Sequence, residues 1–115
     1  MLSIPPTVSI WLHTAPTDMR QGIDGLSGIV RGQFAADPLD GSLYLFVNRR
    51  RDRLKILHWD GTGFWVYYKL LEQGTFEPIR SNDPRVTIDA TQLAMLLGGV
   101  SLVGVQRRKR YRRVA

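Results

Sequence analysis

Cysteine is absent from the chain. Its absence excludes disulfides, thiolate metal ligands and a thiol nucleophile, and it fits a reducing compartment. Histidine occurs only at His13 and His58, without the paired spacing of a zinc site. Both fall in strand-like stretches, where a structural role is the ordinary one. Long apolar runs are missing too. The longest mostly apolar stretch, residues 93–105, is interrupted by Gly98, Gly99, Ser101 and Gly104, and it falls short of the ~20 residues needed to cross a bilayer. The N-terminal residues Met1-Leu2-Ser3-Ile4-Pro5-Pro6 lack the cationic region and apolar segment of a secretory signal. These absences predict a cytoplasmic protein with no membrane partner and no cofactor.

Lysine is scarce, and acids are missing from one end. Of 16 cations only Lys55, Lys69 and Lys109 are lysines. Guanidinium suits bidentate phosphate contacts and stacking on rings better than ammonium does. Residues 106–115 contain Arg107, Arg108, Lys109, Arg110, Arg112 and Arg113 and no acid. The other 105 residues hold ten cations and ten acids, so this segment carries the whole net charge of +6. Its cations fall at odd and even positions alike, so no backbone conformation would hide them on one side, and self-repulsion is expected to keep it extended or loosely helical. Six phosphate contacts on duplex DNA would give a salt slope of roughly −5 in log K against log salt. Tyr111 could stack on a base or pack back on the domain. A merely solubilising tail has the same composition.

With 115 residues the chain is long enough for one core. We expect a single domain over residues 1–105, followed by the basic tail 106–115. Val8, Ile10 and Leu12 alternate with Ser9, Trp11 and His13, which predicts a half-buried strand. Thr17 or Asp18 then caps a helix running to about Phe34, with Met19, Ile23, Leu26, Val30 and Phe34 as its apolar stripe. Gly22, Gly25, Gly28 and Gly32 weaken that helix. They mark either a close backbone approach or a helix that depends on packing. Leu43, Leu45 and Val47 alternate with Tyr44 and Phe46, predicting a central strand covered on both faces. Residues 53–59 and 64–70 flank Asp60-Gly61-Thr62-Gly63 as a β-hairpin. Short strands are expected around residues 75–79 and 86–88. Asp89 and Gln92 have capping-box spacing before a helix that ends at Gly98-Gly99. The sum is an α+β domain: an antiparallel meander of about five strands, with both helices on one face.

A second basic cluster comprises Arg49, Arg50, Arg51, Arg53 and Lys55. A strand over residues 51–59 puts Arg51, Arg53 and Lys55 on one face, and closure of the hairpin puts Tyr68 opposite Lys55. Basic residues beside aromatics on a sheet can bind single strands by phosphate contact and base stacking. Asp52, Asp60 and Glu72 could neutralise part of the cluster. Asp18, Asp24 and Asp60 would be the carboxylates of a metal-dependent nuclease, but nothing in their spacing forces them together. No Ser-His-Asp context or phosphate-cradling glycine motif occurs. The residues therefore predict no catalytic site and no metal site, and point to DNA contact by both basic segments. Single-strand binding through the sheet, or protein docking without DNA, are the alternatives.

Thr17-Asp18-Met19-Arg20-Gln21-Gly22-Ile23-Asp24-Gly25-Leu26 resembles a "TDMRKGxDGL" block. Asn48-Arg49-Arg50-Arg51-Asp52-Arg53-Leu54-Lys55-Ile56-Leu57-His58-Trp59-Asp60-Gly61-Thr62-Gly63 resembles "NRRRDRLKxLxWDGxG". Leu70-Leu71-Glu72-Gln73-Gly74 with Phe76, and Gln92-Leu93 with Leu96-Leu97-Gly98-Gly99, are similar to the blocks that follow in the same order. These are the blocks of the TnpB, or Orf2-like, accessory family of insertion-sequence-66-type bacterial transposons. Gly28 and Gly32 depart from the pattern, which has larger residues there. The resemblance implies a non-catalytic role in transposition beside a larger transposase that carries the strand-transfer carboxylates. It assigns no catalytic residue. The RNA-guided nucleases that share the TnpB name are far longer, and none of their motifs occurs here.

Overall fold

The computed structural model describes residues 5, 7–77 and 79–98. The elements are β1 (Ile10–His13), α1 (Ile23–Gly32), β2 (Leu43–Val47), β3 (Arg53–Trp59), β4 (Phe64–Leu70), β5 (Arg85–Ile88) and α2 (Ala90–Leu97). They form an α+β fold around one five-stranded sheet of order β4-β3-β2-β1-β5.

β2, β3 and β4 make the expected antiparallel meander, and β1 pairs antiparallel with β5. The pairing of β1 with β2 is parallel, with Trp11 opposite Tyr44. The sheet is therefore mixed rather than a continuous meander. The connection through α1 is the reason, since parallel neighbours need a crossover long enough to carry the chain back along the sheet.

The helices lie on opposite faces, not on one. Alternation along β2 sends Leu43 and Leu45 to one side and Tyr44 and Phe46 to the other. Leu93 and Leu96 of α2 pack with Ile10, Leu12, Leu43, Leu45, Leu54, Ile56 and Phe76. Leu26 and Val30 of α1, with Phe34 beyond it, pack with Tyr44, Phe46 and Leu57. β2 is thus covered on both faces, as its apolar run predicts. Each fully buried Leu or Phe contributes roughly 1.5–3 kcal/mol, so the two half-cores hold the sheet between them.

α1 starts at Ile23, later than the Thr17 or Asp18 cap would place it. Its N-cap is Gly22, which makes no side-chain capping bond. The Asp18 carboxylate is occupied instead by the Arg20 backbone N–H and guanidinium. Ile23 is 41% exposed, so the buried stripe is Leu26, Val30 and Phe34. A Cβ added at Gly28 or Gly32 would meet nothing within 4 Å, so these glycines mark no close backbone approach. α2 is capped as expected: the Asp89 side chain accepts from the Gln92 N–H, and the Gln92 side chain accepts from the Asp89 N–H. The segment around residues 75–79, expected as a strand, forms none among its described residues; Phe76 instead plugs the α2-side core.

Candidate nucleic-acid interface

Two stretches some thirty residues apart meet at one end of the sheet. The Thr17 N–H donates to the Val47 carbonyl oxygen at 2.8 Å, tying the loop after β1 to the end of β2. Thr17 is buried, and its hydroxyl lies 3.3 Å from His13 Nδ1. His13 packs its ring on Phe34 and Phe46. Burial pushes the His13 pKa down, which favours the neutral ring. This histidine supports the loop from beneath, which is the structural role its strand position predicts.

The next turn is built on one asparagine. Asn48 Oδ1 accepts from the N–H groups of Asp52 and Arg53, and Asn48 Nδ2 donates to Asp52 Oδ1 at 2.7 Å. Asn48 and Arg53 also pair through backbone, and Arg51 N–H donates to the Asn48 carbonyl oxygen. The turn is tight enough that Arg51 takes a left-handed φ of 61°. Local bonding of this kind is what Asn and Asp do well in turns. It exposes Arg49 and Arg50 at the tip and engages Asp52 within the turn.

Between loop and turn runs an open groove of about 830 Å³, lined by Thr17, Asp18, Arg20, Arg49, Arg50, Arg53 and Tyr68 among others. Four guanidiniums and one carboxylate make its lining cationic. Asp18 and Arg20 form a bidentate pair, with the shortest contact at 2.7 Å. The Arg20 guanidinium holds the Asp18 carboxyl down at about 2. Arg53 Nη1 donates to the Tyr68 hydroxyl at 2.7 Å, and that contact pushes the Arg53 pKa up. Asp18 takes the Nε–Nη2 edge of Arg20 and Tyr68 takes one Nη1–H of Arg53, so both guanidiniums are oriented while their remaining N–H groups stay available as donors.

The cluster of five basic residues does not act as one surface. Arg49, Arg50 and Arg53 line the groove. Arg51 precedes the strand, contrary to the expectation that it shares a face with Arg53 and Lys55. It lines a separate cleft with Leu12, His13, Phe76 and Ile79. Lys55 does face Tyr68, whose ring centroid lies 5.0 Å from its Nζ. Its ammonium, though, donates to the carbonyl oxygens of Met19 at 2.8 Å and Gln21 at 2.9 Å. Lys55 therefore anchors the groove wall through these two carbonyl oxygens. The six cations of the tail (Arg107, Arg108, Lys109, Arg110, Arg112, Arg113) lie outside the described residues.

The carboxylates imagined as a nuclease site are dispersed. Asp18 is paired to Arg20, Asp24 is in the first turn of α1, and Asp60 accepts from Thr62, Gly63 and the Trp65 indole in the β3–β4 turn. No group of three or more His, Asp or Glu among the described residues is placed to hold a metal ion. No helix among the described residues is long and apolar enough to cross a membrane. Sequence reasoning missed Arg20 and the tyrosine hydroxyl as parts of the groove. The signal was present in the Thr17-Asp18-Met19-Arg20 block, read from the sequence as a helix start and as a family block.

The family model for the IS66 Orf2 like protein matches residues 8–107. Two proteins of Sinorhizobium fredii are similar over most of their length. The uncharacterized protein y4jC is 33% identical over 99 residues, 86% of this chain and 85% of its own. The uncharacterized protein y4hO is 34% identical over 100 residues, 87% of each. No solved structure matches. The matched span takes in both walls of the groove and the whole described sheet, and the chain belongs to the IS66 Orf2-like family.

Proposed function

We propose that the protein is a non-catalytic accessory factor of transposition that contacts DNA through the Arg20–Arg49–Arg50–Arg53 groove and the basic tail, beside the transposase of its element. One observation carries this reading. The Thr17–Leu26 and Asn48–Gly63 blocks lie far apart in the chain; Leu26 and Leu57 share one core cluster, and the polar residues of the two blocks outside it converge on one cationic groove. Oriented, exposed guanidiniums on a loop and a turn suit phosphate contact, and such contacts position a protein without reading sequence. The tail adds six cations by the same mechanism.

The test is a gel-shift titration on duplex DNA across a range of salt. The full-length chain, an Arg49→Glu/Arg50→Glu variant and a form truncated at Gln106 are compared. Each lost phosphate contact should make the slope of log K against log salt shallower by about 0.9. Equal binding by the full-length and charge-reversed forms would remove the groove from the reading. Absence of binding by every form would leave only the transposase as partner.

A further inference from the structure

β4 ends the sheet, and among the described residues nothing pairs with its outer edge. The edge has few of the usual safeguards. It is seven residues long, in unbroken register with β3, and contains no proline. Natural edge strands are normally shortened, bulged or charged to prevent pairing. Its one charge, Lys69, donates to the Leu97 carbonyl oxygen of its own chain. Trp65, Tyr68 and Leu70 are about half exposed along it.

Two backbone hydrogen bonds show which groups face outward. Asp60 N–H donates to Gly63 O at one end of the hairpin, and Leu71 N–H donates to Asp52 O at the other. Bonded and non-bonded pairs alternate along an antiparallel ladder. The residues bonded to β3 are therefore Trp65, Tyr67 and Lys69. The N–H and C=O groups of Phe64, Val66, Tyr68 and Leu70 point to the open edge.

We propose that this edge pairs antiparallel with β4 of a second copy of the chain, joining two sheets into one of ten strands. The pattern is self-complementary. A two-fold axis at Tyr67 uses the whole strand and places Val66 opposite Tyr68 and Phe64 opposite Leu70, both as bonded pairs. It also sets Tyr67 against Tyr67 of the second copy and Trp65 against Lys69, a cation facing an indole. Trp65 is already held for this: its ring stacks on Tyr67 with centroids 6.0 Å apart, and its Nε1–H donates to Asp60. Apolar and aromatic cross-strand pairs are the favourable ones. The axis is perpendicular to the sheet, so the two grooves open on the same side. Their joint use on one DNA rests on the function proposed above, whereas the dimer rests on the strand edge alone.

The experiment uses the full chain without DNA. Sedimentation equilibrium from micromolar to hundred-micromolar concentration should show a monomer–dimer equilibrium. Val66→Pro removes an N–H that β3 does not use. It deletes two symmetric backbone bonds from the dimer and should weaken it by about tenfold or more. The chain has no native cysteine, so single cysteines report the register. Tyr67→Cys should oxidise to a covalent dimer, because facing residues of a non-bonded pair have Cα atoms ~4.5 Å apart, within disulfide range. Trp65→Cys alone should not cross-link, whereas Trp65→Cys with Lys69→Cys should. A monomer at every concentration would overturn the proposal. So would a dimer that cross-links at neither position 67 nor the 65/69 pair, a result that stands even if Val66→Pro fails to fold.

Discussion

Lys55→Met separates two roles that a lysine in a basic patch can have. In the structure its ammonium bridges the carbonyl oxygens of Met19 and Gln21 and lies over the Tyr68 ring. Methionine keeps an unbranched stem over the tyrosine and removes only the charge and its bonds. Hydrogen bonds from a charged donor contribute about 1.5–3 kcal/mol each, and an exposed cation–π contact about 0.5–1 kcal/mol. Gln21 is exposed, so water replaces much of what its carbonyl loses. The low end applies, and the variant should be less stable by ~2 kcal/mol in urea denaturation. Amide exchange should accelerate in the loop between β1 and α1, whose wall Lys55 holds. Under the DNA contact proposed above, affinity should fall because the loop carrying Arg20 loses its anchor, yet the slope of log K against log salt should stay as in the unaltered chain. Unchanged stability with a slope shallower by about 0.9 would refute this reasoning and make Lys55 a phosphate contact.

Further outcomes are expected from the same geometry. Gly28→Ala fills open space on an exposed face of α1. It should stabilise the domain by up to about 1 kcal/mol, raising Tm by roughly 4–8 °C per kcal/mol; a lower Tm would mean that something does approach that face. Asp18 should titrate by NMR with a midpoint of about 2, and Arg20→Met should return it toward the ordinary carboxylate value. Because its folded pKa is depressed, the pair's contribution is complete above the unfolded value near pH 4 and disappears as pH falls through about 2. Asp60 is held below the usual carboxylate range by the Thr62 N–H first and then by the Trp65 indole. Trp65→Phe should raise its midpoint while leaving the turn bonds to Thr62 and Gly63 in place.

Much of the architecture was legible locally. The β3–β4 hairpin, the two-sided burial of β2 and the Asp89–Gln92 capping box follow from period-2 alternation, turn residues and cap spacing. These signals lie within a few residues of the structures they specify. Where a local signal had two possible uses, sequence could not choose. Asp18 has the chemistry of an N-cap, but its carboxylate is taken by Arg20, so α1 begins later. Lys55 has the chemistry of a phosphate contact, but the sheet delivers it to two carbonyl oxygens.

The sequence by itself determined the charge asymmetry, the α+β class and the family blocks, because composition and short-range order suffice for each. Tertiary structure alone decided that β1 and β2 run parallel, that the helices take opposite faces, and that the Thr17–Arg20 and Asn48–Arg53 stretches form one groove. The physical reason is the same throughout. Strand partner, helix side and groove are set by which apolar faces bury against each other across the sheet, and that choice belongs to the whole chain. The edge of β4, unpaired among the described residues, is of the same kind: its residues read as an ordinary strand, and only its place at the end of the sheet directs four residues' backbone groups outward.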